Sequence, residues 1–270
     1  MSKNDADNAL MTTGGHLEVL RKMLFRIVAV VFVLAVLVFC FKKETFAILL
    51  APKSPHFATF SFIESVLGKF NLASGFDSVD VSLISTELSS QFMTHIYVAC
   101  LLAVLLASPY ILFELFRFVS PALYESEKKH SVAVACIIYA LFFSGVLVSY
   151  FILFPISFRF LATYQVDESI VSTITLDSYI SSFSTLVFLT GIMFQLPIII
   201  FILGKMELVD AGQLRAFRPY ALVIIMIIAA IITPPDIFTL VLVTVPIYGL
   251  YELSIMAINK IPKKEENLRE

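Results

Sequence analysis

The chain has 270 residues, 59% of them hydrophobic and 15% charged, against about 45–50% and about 25% in an ordinary soluble domain. That much apolar surface exceeds what a chain of this length can bury, so lipid must cover part of it, which excludes a water-soluble globule. A net charge of −2 and a pI near 6.1 supply no basic field for nucleic acid.

The first twenty residues carry Asp5, Asp7 and Glu18 ahead of any hydrophobic run. That is unlike the short basic start of a cleaved signal peptide, so the first apolar segment is expected to stay in the mature protein. A helix needs about 20 residues to cross about 30 Å of hydrocarbon. Runs of that kind lie at about 24–41, 93–116, 131–154 and 179–203, with Arg26 and Glu114 the charges near their ends. A fifth, at about 217–233, is short before Pro234 and Pro235, and a sixth, 237–258, follows at once. Two prolines without N–H groups force a corner there, and Asp236 is placed to cap the next helix. The expected fold is therefore an all-α membrane protein with six transmembrane helices, the fifth and sixth short, forming a single membrane domain over 1–270.

Lys and Arg set the orientation. With the N-terminus inside, the cytoplasmic segments 1–23, 117–130, 204–219 and the tail from 259 hold 13 of the 19 basic residues. The outer segments keep Lys42, Lys43, Lys53, Lys69 and Arg159 against nine acids, so both termini are expected in the cytoplasm. In the long outer loop, 42–92, the stretch from His56 to Leu72 is too short and too charged to span and is expected to form an amphipathic interfacial helix.

Cys40, Cys100 and Cys136 show no CxxC or Cys/His spacing, so neither a disulfide framework nor a metal site is expected. No common catalytic motif is present and the four His are scattered, which argues against an enzyme and against a cofactor. Polar groups at membrane depth are few. Gln195, in GIMFQLP, is the clearest, either as an interhelical hydrogen bond or as a functional group; Glu114 and Glu252 read as interfacial carboxylates. A secondary transporter of a small solute is the runner-up function, but it would need ionisable residues or broken helices at the midplane, and apart from Gln195, Pro197 and Pro246 the chain lacks them. A purely structural assembly scaffold is a third possibility.

Four motifs carry more. HLEVLR (His16–Arg21) precedes the first span, FVSPALYESEKK (Phe118–Lys129) joins the second and third, FQLP (Phe194–Pro197) lies in the fourth, and ITPPDIF (Ile232–Phe238) forms the paired-proline corner. In this order, on six spans, they resemble the TatC family, the multi-spanning receptor component of the twin-arginine protein translocase, from about Gly15 to Asn259. The resemblance implies a protein of the cell inner membrane that binds twin-arginine signal peptides of folded proteins. It also implies assembly with small single-span translocase subunits and with further copies of itself.

Implied signal-peptide residues are Glu18, Arg21, Phe118, Pro121, Leu123, Tyr124 and Glu127. Glu127 stands at the family's loop glutamate, and a carboxylate is the group that grips a guanidinium in fork geometry. Pro52, Gln195, Pro197, Pro234, Pro235 and Asp236 are implied in structural or partner contacts. The chain departs from the pattern in three places: Val19 replaces the acid of the usual HLxELR, Gln195 stands where many members carry glutamate, and the outer loop holds about twenty extra residues near 56–76. Two outcomes follow at Val19. The segment frays beside Gly14 and Gly15 so that Glu18 reaches the peptide, which is the favoured expectation, or Glu127 is the main acid and Glu18 pairs with Lys22.

Overall fold

The computed structural model describes residues 13–69, 81–119, 131–167, 173–233 and 235–259. The chain divides into two compact units, one from residues 1–41 and 96–135, the other from 42–95 and 136–270. Among the described residues, five helical stretches are long and apolar enough to cross a membrane: Leu17–Cys40, Ser90–Leu115, Val134–Thr163, Leu176–Lys205 and Ile237–Asn259. Arg218–Ile232 is a shorter apolar helix, and its 15 residues reach about 22 Å.

The first unit is built on α1 (Thr13–Cys40) and most of α4 (Ser90–Val119). Phe25, Val28 and Phe32 of α1 are exposed, whereas Met23 and Val38 are buried, the distribution of a helix whose outer face meets lipid. Pro109 lies inside α4 and cannot donate to the carbonyl of Leu105 four residues earlier. The Ser108 hydroxyl donates to that carbonyl instead, at 2.6 Å, so the break costs no orphaned acceptor in hydrocarbon.

The second unit begins with α2 (Lys42–Leu50), a 3₁₀ turn at Ala51–Lys53, and α3 (Ala58–Lys69). The third span is longer than its apolar run. Helix α5 (Ser131–Val148) passes through one π turn, Ser149–Leu153, into α6 (Phe154–Thr163). The fourth run is two helices, α7 (Leu176–Met193) and α8 (Leu196–Lys205), separated at Phe194–Gln195. Pro197 explains the interruption, because its ring meets the carbonyl of Met193, where α7 ends. Then come α9 (Ala211–Ala216), α10 (Arg218–Ile232) and α11 (Ile237–Asn259). An element absent from the all-α expectation is a two-residue parallel ladder, β1 (Leu83–Ile84) beside β2 (Ile174–Thr175), with Leu83 opposite Ile174. Runs of two residues fall below anything that period-2 alternation can reveal.

The core of this unit is aromatic. Phe154 stands edge-on to Tyr179 and Phe183, with ring centroids 5.1 and 5.0 Å apart, and all three are buried. Around it, proline-orphaned carbonyls are recovered by side chains of other helices. Pro155 leaves Phe151 O without its helical donor, and the Thr59 hydroxyl of α3 donates to it. Pro52 leaves Ile48 O, which accepts from Tyr150 Oη at 2.8 Å. The adjacent Leu49 O accepts from Tyr179 Oη at 3.0 Å. The extra loop residues thereby acquire a structural part: Phe57 stacks on Phe151 at 5.6 Å, and Phe60 lies 5.3 Å below the guanidinium of buried Arg159.

Candidate functional site

The charged end of the first unit is built from two helix faces. Residues 19, 22, 23 and 26 recur at three- and four-residue steps along α1, and 114, 117 and 118 do the same at the end of α4, so each set faces one way. Val19, Lys22, Met23, Arg26, Glu114, Arg117 and Phe118 together line a cleft of about 210 Å³. Glu114 is its buried acid, 7% exposed. One carboxylate oxygen, Oε1, accepts from Tyr110 Oη at 3.2 Å and lies 3.7 Å from Arg26 Nη1.

Glu18 takes no part in lining this cleft. Its carboxylate pairs with Lys22 Nζ at 2.8 Å, one turn on, with both side chains more than half exposed. The expectation that the segment frays here is corrected: α1 is helical from Thr13, through Gly14 and Gly15. Continuous helix points residues 18 and 19 about 100° apart, so Val19 faces the cleft and Glu18 does not. Arg21 lines a neighbouring hollow of about 500 Å³ with Lys22, Phe25 and Arg26. Of the loop positions, Phe118 is placed in the cleft, while Pro121, Leu123, Tyr124 and Glu127 lie outside the described residues.

The other sequence-derived positions belong to the second unit. Gln195 is 9% exposed and donates from Nε2 to the carbonyl of Ile138 at 3.0 Å. Its Oε1 is buried with no hydrogen-bond partner among the described residues. Pro197 opens α8, Pro52 is buried in the 3₁₀ turn, and Pro235 is exposed. Pro234 lies outside the described residues. Asp236 caps α11, its Oδ1 accepting from Thr239 N at 2.6 Å.

Two ion pairs escaped the sequence reading. Besides Arg26 with Glu114, Arg218 Nη2 meets Glu252 Oε2 at 2.7 Å, joining α10 to α11, and Tyr248 Oη donates to Glu252 Oε1 at 3.1 Å. The sequence carried a signal for the tyrosine partner of each carboxylate though not for its arginine: each glutamate follows a tyrosine by four residues, in YILFE (Tyr110–Glu114) and YGLYE (Tyr248–Glu252), the spacing at which a helix lets the hydroxyl reach the carboxylate.

A predominantly helical chain with, among its described residues, five helices long and apolar enough to cross a membrane and a charged cleft at a helix end has the makeup of a multi-pass membrane protein. The family described as Sec-independent protein translocase protein (TatC) matches residues 15–246. A TatC protein of Desulforapulum autotrophicum is 32% identical over 252 residues, covering 93% of this chain and 86% of that one. One from Halothiobacillus neapolitanus is 31% identical over 258 residues, 94% of this chain but only 65% of the relative's own length. One from Helicobacter pylori is 36% identical over 168 residues, 61% of this chain and 67% of the relative. A crystal structure of the twin arginine translocase receptor TatC superposes with a TM-score of 0.71 at 31% identity, covering 90% of this chain and 98% of that one. The chain belongs to the TatC family.

Proposed function

We propose that this chain is the receptor and core subunit of a twin-arginine translocase, binding the twin-arginine signal peptide of folded cargo and organising the complex that carries it across. It is non-enzymatic and works as one membrane domain of the cell inner membrane. Both termini and the cleft are cytoplasmic, and α10 serves as a short fifth span around which the bilayer thins. Its partners are twin-arginine signal peptides, small single-span subunits and further copies of itself, within membrane lipid. The observation that carries this reading is the cleft: it gathers Val19 and Phe118, from the two motifs that mark the family's cytoplasmic face, around a buried carboxylate.

In this reading Glu127 is the principal acid for a signal-peptide guanidinium. Phe118, Pro121, Leu123 and Tyr124 hold its loop, and Glu18 and Arg21 stand at the rim. Gln195, with a buried oxygen still to be paired, faces a partner helix, and the Pro234–Pro235–Asp236 corner joins the short fifth span to the full-length sixth. The test is crosslinking of a twin-arginine signal peptide to the purified full-length protein, with the twin-lysine peptide as control. Selective crosslinking of the arginine peptide near residues 18–26 and 114–129 supports the receptor; labelling elsewhere, or equal labelling by both peptides, excludes it.

A further inference from the structure

The geometry points to Glu114 as a second carboxylate of the signal-peptide site, occupied in the unliganded protein by the chain's own Arg26, which an incoming arginine displaces. This rests on the receptor reading above and identifies the group that stands in for the acid missing at Val19. Glu114 is nine-tenths buried, and Val19 lines the same cleft, so its carboxylate opens into the space beside the apolar side chain that departs from the family pattern.

The resident pair is a poor one. Arg26 Nη1 stands 3.7 Å from Oε1, beyond hydrogen-bond length, so the ions attract without the two parallel N–H···O bonds a guanidinium can make. The Arg26 side chain is 57% exposed against 9% for Glu114. The arginine can therefore return to water at little cost, while the acid has already given up most of its hydration. Tyr110 Oη, 3.2 Å away, holds the carboxylate in place throughout.

Exchange of one guanidinium for another also solves a charge problem. Lys22, Arg26 and Arg117 all line the cleft and would repel a dicationic peptide. Moving Arg26 aside as one peptide arginine enters keeps the charge beside Glu114 unchanged and so offsets one of the peptide's two charges, and a peptide lysine could not make the fork that drives the exchange. Position 26 thus sets the threshold for binding, and position 114 adds to the preference for arginine of which Glu127 is the principal source.

The test is equilibrium binding of a fluorescent twin-arginine signal peptide, and of its twin-lysine counterpart, to the purified full-length protein. Glu114→Gln should weaken twin-arginine binding at least about tenfold, as expected for loss of a charge-assisted hydrogen bond. Arg26→Ala should tighten it about two- to fivefold, the strength of a half-exposed ion pair. The gain should vanish in Arg26→Ala/Glu114→Gln. Tightening cannot arise from a damaged fold, so the Arg26→Ala arm stands even if Glu114→Gln proves unstable. Weaker binding by Arg26→Ala, or wild-type affinity in both single variants, overturns the inference while leaving the receptor reading intact. A wild-type protein that fails to prefer the arginine peptide overturns the receptor reading itself.

Discussion

Tyr150 donates its hydroxyl to the carbonyl of Ile48 at 2.8 Å, the acceptor that Pro52, four residues on, cannot serve. The bond ties the π turn after α5 to the end of α2, and it explains why a proline is tolerated there. Tyr150→Phe should lower stability in detergent by about 0.6–1.7 kcal/mol, the range for hydrogen bonds within membrane proteins. In a Pro52→Ala background the backbone can serve its own acceptor, so the same change should cost less. Thermal unfolding of the four proteins measures this coupling, and equal costs in the two backgrounds would remove the proposed link.

Glycines at 145 and 191 bring α5 and α7 together. A Cβ at Gly145 would lie 2.7 Å from the Phe194 ring, and one at Gly191 2.9 Å from the Phe142 ring, whereas one at Gly249 meets nothing within 4 Å. Gly145→Ala and Gly191→Ala should each destabilise by about 1–3 kcal/mol through overpacking, and Gly249→Ala should be neutral or stabilising as a helix residue. Three melting curves decide the order, and a loss at Gly249 equal to the other two would contradict the packing.

Gln195 tethers the break between α7 and α8 to Ile138 and keeps one buried oxygen for a partner. Gln195→Leu should impair assembly or export more than Gln195→Glu, because only the second retains polar atoms there. Co-purification of the translocase complex and an export assay report the two effects; normal assembly and export by Gln195→Leu would reduce the residue to filler.

Much of the helical scaffold was legible from runs of apolar residues, as was the cap at Asp236, because both are local in sequence. The interruptions were less so. Pro197 marked the break at Phe194–Gln195, but a charge-free run from Tyr179 to Leu203 reads as one helix until the ring's clash with Met193 is counted. The π turn at Ser149–Leu153 has no compositional mark, and the donor serving Phe151 O, Thr59, is 92 residues away. Of the candidate site, Phe118 and the position of Val19 were legible from motifs. The pairing of Arg26 with Glu114 was not, since it depends on how two helices face each other across 88 positions. Gly14 and Gly15 suggested fraying by propensity alone, but α1 continues through them, a small local cost carried by the 28-residue helix.

Orientation has its own test. Reporter fusions after Ser126 and Gln213 should read cytoplasmic and those after Asp77 and Asp167 external, as the distribution of Lys and Arg requires. A reversed reading at either pair would contradict six spans with both ends inside.

In the proposed receptor, carboxylates at the cytoplasmic face read the paired arginines, with Glu127 as the principal reader. The most direct measurement is the affinity of the purified full-length protein for a twin-arginine signal peptide and its twin-lysine counterpart, before and after Glu127→Gln. The expected result is a preference of at least about tenfold for arginine, lost with the ~1.5–3 kcal/mol of a charge-assisted bond in the variant. Equal affinity for the two peptides, or a preference untouched by Glu127→Gln, would contradict it.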